Sequence, residues 1–218
     1  MKQGKDLDRH LASTFFSLRR AVAVLAIALP LVVAAGGYLA CGLPLQESLS
    51  AYYGTCMRDL FVAFIIAIGA CLHIYKGFSD EENILLNCAG VLAAGIALFP
   101  WNWEPWGKLL TPHGICAILF FASMAIVCLR HGKDSLQWTE SPEVRARFER
   151  RYTRIGYALI ASPAIAYAIH LLWPERSSFI FFAEAVAIAV FASYWVTKSQ
   201  ELALTTAERE VVERANTR

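Results

Sequence analysis

Charge is scarce in this sequence. Asp, Glu, Lys and Arg make up 17% of the chain, against about 25% in an ordinary soluble domain. Most of that charge sits in four blocks, 1–20, 76–82, 130–154 and 198–218, with long apolar runs between them. Regular polar/apolar alternation is missing too, and the apolar runs exceed the ~10 residues of a barrel strand, which excludes a closed β-barrel. No CxxC pair and no Cys/His ribbon spacing occurs, so a zinc ribbon is excluded. No phosphate-binding glycine loop, fixed-period repeat or low-complexity tract is seen. Nothing points to a second domain or to nucleic acid.

What remains is apolar. Hydrophobic residues are 57% of the 218, and the mean hydropathy is +0.45. Six runs, at 21–41, 60–77, 83–100, 113–130, 155–173 and 178–197, each come close to the ~20 residues that cross ~30 Å of hydrocarbon at ~1.5 Å per residue. The expected fold is an all-α polytopic membrane helix bundle with six transmembrane helices over 21–197. Residues 1–20 place Leu7, Leu11, Phe15 and Leu18 at helical spacing among charges, as an amphipathic helix lying on the inner leaflet would. Residues 198–218 form a charged tail. "YLACG" at 38–42 has Tyr38 three residues before Cys41 where a lipoprotein cleavage box has an aliphatic residue, so the first run is expected to stay as an uncleaved span.

Lys and Arg set the orientation. Only Arg58, Lys108 and Arg176 fall on one side of the six-span layout, and the other seventeen fall on the opposite side. The positive-inside rule then puts both termini in the cytoplasm and the loop "ESLSAYYGTCMRD" (47–59) outside. A bacterial inner membrane suits this layout. The basic 130–154 segment is expected to touch anionic lipid through Arg145, Arg147, Arg150 and Arg151. The tryptophans of "WNWEPWGK" (101–108) and Trp173 read as an interfacial belt. Ser79 and Glu82 have capping-box spacing ahead of the third run. In that run Gly90 and Ala94 have the small-residue spacing of tight helix packing, and Asn87 is expected to bond a neighbouring helix. Pro30 and Pro163 are expected to kink the first and fifth spans. Four cysteines lie inside spans as apolar fillers. Cys41 and Cys56 both lie outside, where a bridge is chemically allowed but not dictated by spacing.

Ionisable groups inside spans are expensive, so each calls for a reason. Asp59, His113, His170 and Glu184 come from four different spans and share the outer half. Ser48, Ser50, Tyr52 and Tyr53 hang above them. Two imidazoles with a carboxylate leave an open coordination position, which is the composition of a catalytic zinc site. His113, His170, Glu184 and Asp59 are the candidate metal ligands. Ser50 and Tyr53 are candidates for positioning a scissile carbonyl. Each group also has an ordinary reading. Asp59 suits a helix N-cap, His113 follows Thr111 and Pro112 at a helix start, and His170 can bond a carbonyl across a helix pair. Glu184 is the hardest to read this way, because a carboxylate two turns into a span needs a proton or a partner, for which Arg176, His170 and a tyrosine are the candidates.

The segments "SLSAYYGTCMRDLFVAFIIAIG", "YKGFSDEENILLNCAGVLAAGIALFP" and "PHGICAILFF" resemble an uncharacterised family of bacterial six-span inner-membrane proteins. The resemblance covers most of the apolar region and implies a fold and a location rather than an activity. More distantly, Ser, Asp and His in the outer half of a helix bundle are similar to the membrane hydrolase superfamily of alkaline ceramidases and adiponectin-type receptors. Those proteins use a Ser, an Asp and three His. Ser50, Asp59, His113 and His170 are the positions onto which such roles would carry. The superfamily's HxxxH pair has no counterpart, because Ala166 and Pro174 flank His170 at four residues, and six spans stand in place of seven.

The function expected from these residues is a membrane-embedded hydrolase acting on a lipid or lipid-like substrate at the outer leaflet, with His113 and His170, together with Glu184 or Asp59, either holding a zinc ion or acting as acid–base groups. Two other readings stay open. One is a non-enzymatic sensor or scaffold that binds a ligand through the outer loop. The other is a small transporter using Glu184, His170 and His73 as a path, against which stands the lack of an inverted repeat.

Overall fold

A computed structural model describes residues 2–100, 111–139, 141–172 and 178–204, with the side chains of 2–9, 167, 169–172 and 178 left undescribed. The described residues form six α-helices: α1 (Lys2–Cys41), α2 (Arg58–Ile74), α3 (Asp80–Leu98), α4 (Pro112–Ile126), α5 (Pro142–Leu172) and α6 (Ser178–Leu202). No strand occurs among the described residues. Each helix packs against its neighbours in the chain, and α1 also packs against α6, so the six form a closed ring. Four apolar stretches, His10–Cys41, Asp80–Leu98, Pro112–Trp138 and Phe179–Leu202, are long and apolar enough to cross a bilayer. Together they mark an integral membrane protein.

The helices run alternately up and down, which gives the bundle two ends. One carries the Cys41–Cys56 disulfide and the loop between α1 and α2. We call it the disulfide end, and its opposite the charged end. The bridge that spacing left open is therefore formed. Cys71, Cys88, Cys116 and Cys128 are free thiols.

Helix limits follow local chemistry. Between Gly4 and Pro30 the chain has neither glycine nor proline. Nothing stops the expected 1–20 segment from running into the first span, and the two form one 40-residue helix. Phe15 and Leu18 pack on the core and Arg19 is 1% exposed, so this part faces the bundle rather than lying along a leaflet. α1 ends where Gly42 turns left-handed (φ 63°) and the Gly42 and Leu43 amides close back on Tyr38 and Gly37 carbonyls. Ser79 caps α3 by accepting from the Glu82 amide at 3.2 Å, and Thr111 caps α4 by accepting from the Gly114 amide at 3.1 Å. α4 continues into a π turn, Val127–His131. The basic 130–154 segment starts in that π turn, passes through a 3-10 turn, Asp134–Trp138, and ends as the first turns of α5. Pro30 and Pro163 lie inside α1 and α5. The tryptophan loop 101–108, Trp173 and the tail beyond 204 lie outside the described residues.

At a glycine pair the backbones of α2 and α3 meet directly. A Cβ on Gly69 would lie 2.8 Å from the Gly90 carbonyl oxygen, and one on Gly90 would lie 2.7 Å from that of Gly69. Only glycine allows the two backbones to come so close. The small-residue stripe of α3 thus has its partner in α2. Asn87 does not make the expected interhelical bond: its Oδ1 is buried without a partner among the described residues.

Candidate functional site

At the disulfide end the loop folds onto the helix tips. Leu49, Tyr52 and Met57 are buried with Leu29, Val33, Phe61 and Phe181 in a small apolar cluster. Tyr52 meets Phe181 edge-on at 6.2 Å between ring centres. A single 3-10 turn, Ser50–Gly54, forms above this cluster. Its start is heavily bonded. Ser48 Oγ accepts from the Ala51 amide at 3.0 Å, and the Leu49 carbonyl accepts from the Tyr52 amide. The Phe181 amide, an orphan donor in the first turn of α6, donates to the Glu47 carbonyl at 3.0 Å.

Glu184 explains its place inside a span. Its Oε2 accepts from the Leu49 amide at 2.6 Å and from the Ser50 amide at 3.4 Å. The carboxylate thus sits where an anion is favoured, at the amides that begin a helical turn and have no main-chain partner within it. Charge and loop geometry are solved together.

Ser50 links that turn to α4. Its Oγ lies 3.0 Å from His113 Nε2. His113 is 6% exposed, and its Nδ1 lies 2.9 Å from the Ile96 carbonyl oxygen and 3.2 Å from that of Phe99. Those oxygens only accept, so Nδ1 carries the ring proton and Nε2 of the neutral ring is an acceptor. The Ser50 hydroxyl therefore donates to Nε2. An oriented imidazole accepting from a serine hydroxyl is the arrangement of an activated nucleophile, with main-chain carbonyls in the orienting role usually filled by a carboxylate.

The other expected site residues separate. Tyr53 OH donates to the Leu98 carbonyl at 3.4 Å and accepts from the Arg58 guanidinium at 3.0 Å, which also lies over the Tyr53 ring. Asp59 is exposed in the first turn of α2. It is not the cap: α2 begins at Arg58, and Thr55 Oγ1 accepts from the Met57 amide just before it. A carboxylate in the first turn still favours the helix dipole. The His170 side chain lies outside the described residues. Among the described residues no group of three His, Cys, Asp or Glu side chains is arranged to hold a metal. Both ring nitrogens of His113 are already engaged, and the engaged Glu184 oxygen is bonded to amides. The described donors therefore do not fit the zinc ion that residue types alone suggested.

A second polar centre lies at the charged end, where the sequence reading had placed only caps and solvated charge. Arg19, Glu82, Lys198 and Glu201 are each at most 1% exposed. Lys198 Nζ donates to Ser135 Oγ at 2.5 Å and lies 3.7 Å from Glu201 Oε2. Tyr152 OH donates to the same Glu201 oxygen. Glu82 accepts from the Phe78 amide at 2.6 Å and from Tyr194 OH at 3.3 Å. Arg19 reaches Tyr75 OH at 3.5 Å. A sequence signal existed: Tyr194, Lys198 and Glu201 recur at helical spacing and so share one face of α6. The apolar run simply continues one turn further than its charges suggest.

No family model, curated protein or solved structure matches this chain.

Proposed function

We propose that all six helices cross a bacterial inner membrane, with both termini cytoplasmic and the disulfide end outside, and that the chain is a hydrolase of outer-leaflet lipid esters. The placement is supported by the seventeen-to-three division of Lys and Arg and by a disulfide suited to an oxidising compartment. One observation carries the activity: Ser50 Oγ at 3.0 Å from a buried, carbonyl-oriented His113. Ser50 attacks the ester carbonyl while its proton passes to His113 Nε2, which returns it to the departing alcohol. Water, giving a proton to the same nitrogen, then attacks the acyl-serine carbonyl, and that proton returns to Ser50 Oγ as the Ser50–acyl bond breaks and the acid leaves. Exposed Tyr38, Leu39 and Leu45 around the loop suit acyl chains.

The test is covalent labelling by a fluorophosphonate in detergent and in proteoliposomes. Labelling is expected at Ser50, absent in Ser50→Ala and slowed by about 100-fold or more in His113→Ala. A folded protein unlabelled at Ser50 would sink the hydrolase. A second reading would then take its place, a sensor or scaffold whose rigid outer loop binds a ligand or partner. It is favoured by the amides from Leu49 to Tyr52, all of which are bonded inside the protein and none of which is left for an oxyanion.

A further inference from the structure

At the charged end, a depression of about 270 Å³ is lined by Lys133, Glu149, Arg150, Thr153 and Arg154. At ~30 Å³ per water it holds roughly nine waters, enough for a small headgroup. We infer that this depression binds the phosphodiester of an anionic phospholipid in the leaflet at that end. The inference rests on the membrane placement of the chain and not on the chemistry of Ser50.

Charge supplies the first reason. Three cations from two segments face one carboxylate around the rim. Thr153 Oγ1 donates to the Glu149 carbonyl, so the cations are the donors left for a phosphate. All three cationic residues are exposed.

The neighbouring arginines are otherwise engaged. Arg145 donates to the Thr139 carbonyl at 3.4 Å, and Arg151 donates to Gln200 Oε1 at 2.9 Å. Arg147 and Arg151 both lie 5.5 Å over the Phe148 ring. Of the four arginines that composition alone nominated, only Arg150 lines the depression. Lys133 and Arg154 join it through the fold.

Continuity with an apolar stripe decides between a lipid and a free anion. Arg150, Arg154, Tyr157 and Ala161 follow one another at four, three and four residues, which is one face of α5. All four are exposed, as is Ile160 beside them at 52%. From Arg154 to Ala161 that face changes from cationic to aromatic to aliphatic within about 10 Å. A free phosphate would use only the first part of it. A phospholipid uses all of it, with the diester at Arg150 and Arg154, the glycerol at Tyr157 and an acyl chain beyond.

Native mass spectrometry of the full chain, released from nanodiscs of phosphatidylglycerol and phosphatidylcholine, tests this. The wild type is expected to retain phosphatidylglycerol in preference to phosphatidylcholine. Lys133→Gln/Arg150→Gln/Arg154→Gln is expected to lose that preference by roughly 100-fold, from three surface cations. Arg145→Gln/Arg147→Gln/Arg151→Gln removes the same charge and is expected to keep it. Equal loss in both triple variants, or retention in the first, overturns the inference. Displacement of the lipid by millimolar inorganic phosphate would also overturn it, by making the site one for a free anion.

Discussion

Glu184→Ala is the sharpest probe of how the disulfide end is built. Leu49 is 3% exposed, so water cannot replace the carboxylate oxygen that its amide reaches at 2.6 Å. A hydrogen bond to a charged group contributes about 1.5–3 kcal/mol, and a buried donor left unpaired costs about 1–3 kcal/mol. The 3.4 Å contact to the Ser50 amide is long and adds little. We expect a loss of about 2–4 kcal/mol, or roughly 5–15 °C in Tm for a chain of this size. Glu184→Gln keeps an acceptor but not the charge, and should lose about half as much. The disulfide and the Ser50–His113 bond still tether the loop, so damage should show first as local opening. Scanning fluorimetry in micelles reads the global term, and amide exchange over 45–57 reads the local one. If Glu184→Ala melted within about 1 °C of wild type with unchanged exchange at Leu49 and Ser50, the carboxylate would not be holding the loop.

Three further outcomes follow from geometry. Lys198→Met should cost about 3–5 kcal/mol because it leaves Glu201 charged and 0% exposed. Lys198→Met/Glu201→Leu should recover part of that, and a double variant no more stable than the single one would argue against a coupled buried pair. Gly69→Ala or Gly90→Ala should lower stability by about 1–3 kcal/mol by forcing α2 from α3. Gly54→Ala, which meets nothing within 4 Å, serves as the control in the same melting assay. Cys41→Ser/Cys56→Ser opens a bridge of sequence separation 15 and should cost about 3 kcal/mol. An unchanged melting temperature for that pair in non-reducing buffer would refute the bridge's role.

Much of the framework was legible in the chain because bilayer thickness and apolar length are one-dimensional quantities. The starts of α3 and α4 were readable from Ser79 and Thr111, since a cap bonds an amide only three residues away. Glu184 was readable as a residue that needs a partner, because a carboxylate on an apolar helix is costly wherever the helix lies. Its partner was not. The Leu49 and Ser50 amides are 135 and 134 residues away in sequence, and main-chain donors leave no trace in residue types. Asp59 looked like a ligand by composition and depth, yet side-chain direction turns it outward. His113 stands out in the chain as an ionisable group at the mouth of an apolar run, but its two nitrogens are committed by carbonyls and a hydroxyl that no spacing rule encodes.

The charged end shows the opposite failure. Lys198, Glu201, Arg19 and Glu82 stand at the ends of apolar runs, where charge ordinarily meets water. Closure of the ring brought them together with Tyr152 and Tyr194 and removed the water. Apolar length and charge placement by themselves determined that this is a helical membrane protein. The packing of six helices decided which polar groups meet, because burial and pairing depend on what stands across the bundle rather than on what stands beside a residue in the chain.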